Sequence, residues 1–153
     1  MRRIMAIALL STLFLGATAF AADAVVGTWK LNVAKSKFSG TPPKNATRVY
    51  ATSADGTSLD QKIVSADNKE MSMHVTIKYD GKDYPVTGNP DGDSIAAKVI
   101  DPHTTDFTIK KAGKVVGTVH RVVSADGKTL TVNNKGTHSD GKPYDDTLVF
   151  DKQ

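Results

Sequence analysis

Cysteine does not occur in the 153 residues. That excludes a thiol nucleophile, a disulfide framework and a lipid-modified cysteine behind an apolar leader. Glutamate occurs once, at Glu70, and the aspartates fall mostly in turn sequences. No Ser sits in a Gly-x-Ser-x-Gly elbow, and no candidate base has an orienting third group beside it. The four histidines, at positions 74, 103, 120 and 138, lack the spacing of a zinc ligand set. Asn89-Pro90-Asp91-Gly92-Asp93 lacks the other ligands and the closing Glu of a calcium loop, so it reads as a turn. The chain is therefore expected not to be an enzyme, with no catalytic residue, metal site or cofactor. Clustered positive charge is missing too. The cations are nearly all Lys, spread along the chain beside Asp, which describes a solvated surface and not a nucleic-acid footprint. Long helical periodicity is also absent, with no apolar period of 3.6 residues sustained over three turns.

The N-terminus differs from the rest. Met1-Arg2-Arg3 is a positive start, Ile4 to Gly16 an apolar core, and Ala19-Phe20-Ala21 a small-x-small cleavage sequence. This pattern predicts a secretory signal over residues 1–21, cut before Ala22. The apolar core is well short of the roughly 20 residues a membrane span needs. A single domain over residues 22–153, exported to the periplasm or beyond and without a membrane anchor, is the expectation. Loss of Arg2 and Arg3 removes half of the formal net charge of +4.

Beyond the leader the chain is a succession of short alternating segments. Gly27, Trp29, Leu31 and Val33 share one face of the first, which carries the only Trp. Met71, Met73, Val75, Ile77 and Tyr79 share one face of another. Thr105, Phe107 and Ile109 do so in a third, and Tyr144, Asp146, Leu148 and Phe150 in the last. Leu59 with Ile63, Ile95 with Val99, and Leu130 with Val132 mark three more. Val115 to Val123 is apolar on both faces, so its phase is ambiguous. Turn chemistry separates them, as at Asp80-Gly81, Ala125-Asp126-Gly127 and Asp140-Gly141. Only the stretch from Ala34 to Asn45, with Pro42 and Pro43, is a long loop. About eight to ten strands joined by hairpins predict an all-β, antiparallel up-and-down barrel, since closure removes the exposed edges. A two-sheet β-sandwich is the alternative, although sandwiches usually need longer crossovers.

Several of these segments carry a family resemblance. Gly27-Thr28-Trp29-Lys30-Leu31 resembles the opening strand of the fatty-acid-binding group of calycins. Val119-His120-Arg121-Val122-Val123 with Asp126-Gly127-Lys128 resembles that group's penultimate hairpin, and Asp146-Thr147-Leu148-Val149-Phe150-Asp151-Lys152 its last strand. The resemblance implies a barrel holding an apolar ligand, with an inward Arg121 near the ligand carboxylate. The sequence departs from the group in two places. Leu148-Val149-Phe150 stands where an Arg-x-Tyr pair would, and residues 34–45 are too short for a helical lid. An exported, lipocalin-like barrel fits these features.

The candidate ligand-binding residues are Arg121, Trp29, Met73, Phe107, Leu148, Phe150 and Gln61. Met is adaptable and suits promiscuous apolar pockets, so Met71 and Met73 are natural wall residues. Gln61 and Asn134 are in phase with inward apolar residues and hint at a wet interior. Arg121, if inward, needs a partner. That partner would be a ligand acid, the Trp29 ring or a carboxylate such as Asp146. Arg48 is expected on the surface. The favoured function is binding of a small apolar or amphipathic ligand inside the barrel. The alternative is a filled barrel, with Trp29, Met73, Phe107 and Phe150 in mutual contact, acting as a structural or interaction module of the cell envelope.

Overall fold

The structure, a computed structural model, describes residues 24–153. The leader expected over residues 1–21 lies outside them. Ten strands run in chain order: β1 Gly27–Leu31, β2 Asn45–Ser53, β3 Gly56–Val64, β4 Glu70–Ile77, β5 Asp83–Thr87, β6 Ser94–Asp101, β7 Thr104–Lys111, β8 Lys114–Val123, β9 Thr129–Thr137 and β10 Pro143–Lys152. Each pairs antiparallel with its neighbours in sequence, and β1 closes the sheet on β10. The result is a closed up-and-down barrel without a free edge, and not a sandwich.

Closure rests on the opening strand. Trp29 stands opposite Lys152 on β10 and Arg48 on β2. After β1 the chain makes one 3₁₀ turn, Val33–Lys35, capped by the Asn32 side chain. It then continues along β10, where Lys37 pairs with Thr147. The long loop is therefore a continuation of the β1 path up the barrel wall, ending in a short crossing to β2.

Alternation sorts the side chains. On β2, Ala46, Arg48 and Tyr50 are buried while Val49 between them is exposed. The ambiguous β8 has Gly117, Arg121 and Val123 buried, and Val115 is exposed. An irregularity sets that phase: Ile109 pairs with Gly117 but Lys110 with Val115, leaving Val116 without a partner on β7.

One end of the barrel is packed solid. Val25, Trp29, Leu31, Tyr50, Val123, Leu130, Val132 and Phe150 belong to one core cluster. Trp29 is fully buried, and its indole N–H donates to the Val25 carbonyl at 2.7 Å. A smaller cluster of Val75, Ile77, Ala97 and Phe107 lines the opposite wall. The seam between β4 and β5 is the thinnest part of the sheet, with only His74–Thr87 and Val75–Val86 in register. Pro85 contributes to this, since it brings no backbone donor to β5.

Candidate ligand-binding site

Above the Trp29 plug the barrel is hollow. A cavity of about 720 Å³ runs up to the loops at the opposite end. This is within the usual range for small-molecule sites. It is not the filled barrel of the alternative reading. The walls are mostly apolar, from Leu59, Ile63, Met73, Val75, Phe107, Val119, Leu148 and Phe150. The mouth is built by residues 39–41 and 43, 65–67 and 88–91, together with His138.

Two arginines face this space. Arg121 is 3% exposed and Arg48 8%. Arg121 Nη2 donates to Thr105 Oγ1 at 3.0 Å and to the Tyr79 hydroxyl at 3.2 Å. Its guanidinium carbon lies 4.9 Å from the Phe107 ring centre and 5.4 Å from that of Tyr50. The Nε–H of Arg121 is buried and has no partner among the described residues. Arg48 Nε donates to Gln61 Oε1 at 2.7 Å, and its guanidinium sits 4.8 Å from the Phe150 ring centre. Rings and neutral oxygens surround both cations, and among the described residues neither is paired with a carboxylate. The acids that border the cavity, Asp67, Asp91 and Asp146, belong to its mouth. Asp146 Oδ1 accepts from both the backbone N–H and the hydroxyl of Ser39 at 2.6 Å.

The mouth is held by contacts between turns distant in sequence. Asp91, in the β5–β6 turn, pairs with His138 Nδ1 at 2.7 Å and accepts from the Ser139 N–H at 2.8 Å. Burial pushes the Asp91 carboxyl up, but the His138 and Ser139 hydrogen bonds outweigh it and hold it below the ordinary carboxylate range. His138 also packs against Tyr144, with ring centres 4.6 Å apart and ring planes tilted by 39°. Burial, with the nearby charges of Asp91 and Asp146, raises the Tyr144 phenol above its usual value. The Tyr144 hydroxyl lies against the backbones of Gly117 and Gly136, where a Cβ would come within 2.6 Å and 2.7 Å of it.

The cavity wall includes Arg121, Met73, Phe107, Leu148, Phe150 and Gln61 of the expected residues, and Met71 near the mouth. Trp29 is not part of the wall. It is sealed beneath the cavity, with the Lys152 ammonium 5.1 Å from its ring centre. Arg121 accordingly stacks on Phe107, Tyr50 and Tyr79, not on Trp29, and does not pair with Asp146. Arg48 is a second correction. It shares a face with Ala46 and Tyr50, and that face is the interior one. The sequence signal was available: Tyr50 and Ala46 flank Arg48 at strand spacing, and the polar Thr47 with Val49 forms the other face. Tyr79, Tyr144 and the His138–Asp91 contact were not anticipated as parts of the site. Only the alternation of Tyr79 with Ile77 and of Tyr144 with Leu148 foreshadowed their inward direction.

No family model and no curated protein matches the sequence. Among solved structures the chain is similar to the zebrafish ileal bile acid-binding protein complexed with cholic acid. That likeness has 10% identity and a TM-score of 0.47, over 85% of this chain and 99% of that one. A redesigned β-barrel, mFAP1, bound to DFHBI, is similar at 14% identity and a TM-score of 0.44, over 86% of this chain and 98% of that one.

Proposed function

We propose that this protein is an exported, non-catalytic binding protein whose barrel takes up a small amphipathic acid. The carrying observation is the pair of buried guanidiniums, Arg48 and Arg121, inside a mostly apolar cavity and without a carboxylate partner among the described residues. Burying a cation without a counter-charge is costly, and aromatic faces and neutral acceptors offset only part of that cost. An entering anion supplies the missing charge in a low-dielectric setting, where each N–H···O⁻ contact is stronger than in water. The apolar wall then holds the rest of the ligand, at about 25 cal/mol per Å² of apolar surface buried. Export is supported by the charged, apolar and small-residue succession over residues 1–21.

Titration with a dansylated fatty acid and with its methyl ester, followed by dansyl fluorescence, tests the reading. The acid binds at least tenfold more tightly than the ester, and Arg48→Ala or Arg121→Ala removes most of that difference. Equal binding of acid and ester, or no binding of either, overturns the proposal.

A further inference from the structure

The inner surface of β8, β9 and β10 forms horizontal rows. Arg121, Val132 and Leu148 stand side by side in one. Val119, Asn134 and Asp146 make the next row toward the mouth, and Gly117, Gly136 and Tyr144 the one above. Asn134 borders the cavity, as do Val119 and Leu148. Its carbonyl oxygen is buried and accepts no hydrogen bond among the described residues. The adjacent Asp146 carboxylate is itself an acceptor, filled by Ser39, and has no proton to donate to that oxygen. A buried amide oxygen without a partner is uncommon in native structures and calls for an explanation.

We infer that Asn134 is a specificity residue for a ligand hydroxyl. The inference rests on the proposed uptake of an amphipathic acid and narrows it to hydroxylated acids. With the acid group at Arg121, the row that holds Asn134 lies between it and the mouth, beside the ligand body. Successive rows are separated by two residues, or about 7 Å along the strand. A plain alkyl chain passing there leaves the amide unsatisfied and excludes water from it. A hydroxyl both donates and accepts, so it serves whichever end of the amide is turned toward the cavity. The terminal torsion of Asn is soft, so that turn is easily made. Discrimination of this kind is large, because a site built around a polar group rejects the analogue that lacks it.

The experiment compares stearic acid with a set of monohydroxylated stearic acids whose hydroxyl is moved along the whole chain. Dissociation constants come from displacement of the dansylated fatty acid. At least one isomer binds the wild-type protein about tenfold more tightly than stearic acid. Asn134→Leu, checked for folding by circular dichroism, abolishes that preference while retaining stearic acid binding. Wild-type protein that binds stearic acid at least as well as every hydroxylated isomer overturns the inference and leaves the acid-binding reading standing. A preference that survives in Asn134→Leu overturns it equally. Failure of every acid to bind overturns the reading beneath it as well.

Discussion

Arg48 and Gln61 face each other across β2 and β3, and the Arg48 guanidinium donates to the Gln61 amide oxygen over 2.7 Å. The pair lies inside the barrel, one partner a buried cation and the other a neutral acceptor. Gln61 orients the guanidinium without neutralising it. Had the position been Glu, the charge would be cancelled within the protein and an anionic ligand would gain little. On the proposed reading, this arrangement spends folding stability on a preset anion site.

Replacement of both partners by apolar residues should therefore trade binding for stability. Replacing both members of a buried hydrogen-bonded pair by apolar groups of similar shape is often neutral or stabilising, and here the desolvation of the Arg48 charge is relieved as well. The double variant Arg48→Met with Gln61→Leu is expected to melt at or above the wild-type temperature. Its affinity for the dansylated fatty acid should fall by about tenfold or more. A melting temperature several degrees lower, with affinity unchanged, would show that the pair serves folding alone.

Trp29 gives the converse case. It is fully buried beneath the cavity and donates to the Val25 carbonyl. Trp29→Phe keeps most of the ring but leaves that carbonyl without its donor, at a cost of about 1–3 kcal/mol. Trp29→Ala also opens a void and should cost about 3–5 kcal/mol. Denaturant melts read both. Ligand affinity of Trp29→Phe, measured well below its transition, should stay within about twofold of wild type, since the ring does not border the cavity.

The barrel was legible in the chain because period-two alternation and hairpin turns carry it. Met71 to Tyr79 and Tyr144 to Phe150 could be phased from sequence, and both present the expected face inward. Arg48 misled because a cation biases the reading of an otherwise clear face. Alternation says which residues share a side, and burial energetics alone would put Arg outside. Trp29 misled in the other direction. Its inward phase was plain, but height along the barrel axis is set by register with β2 and β10, which no local pattern states. β5 is five residues long and interrupted by Pro85, so its alternation barely registers. The Asp91–His138 contact joins turns 47 residues apart and leaves no local trace.

The Tyr144 hydroxyl should couple to the glycines beneath it. A methyl at Gly117 meets that hydroxyl at 2.6 Å and the Lys135 carbonyl at 3.1 Å. Gly117→Ala is therefore expected to destabilise by about 1–3 kcal/mol through overpacking. Tyr144→Phe removes the clashing oxygen, so the double variant should recover part of the loss. A double-mutant cycle of melts should give a coupling of about 0.5 kcal/mol or more. Strict additivity would place the strain elsewhere in the wall.

Acid should loosen the mouth before it unfolds the barrel. Burial raises the Asp91 carboxyl, yet the bonds from His138 and Ser139 leave it below its ordinary value. A carboxyl depressed in the folded state binds its proton more weakly there than in the unfolded chain. Its contribution is thus fully present above the unfolded value of about 3.9 and is lost as pH falls through that value to the folded one. Wild-type melting temperature should decline between about pH 5 and the folded value. Asp91→Asn presents no carboxylate to His138 and Ser139 at any pH, so it should melt lower near neutrality and show a shallower acid decline. The exposed turn carboxyls of Asp126 and Asp140 are also held low, chiefly by Ser124 and Lys142, so some slope remains in the variant. Hydrogen exchange separates the local event from the global one. Amides of residues 89–93 and 138–141 should lose protection at a higher pH than those of β9, because only the former depend on the Asp91 clasp. Simultaneous loss in both regions would mean that the mouth and the barrel unfold as one unit.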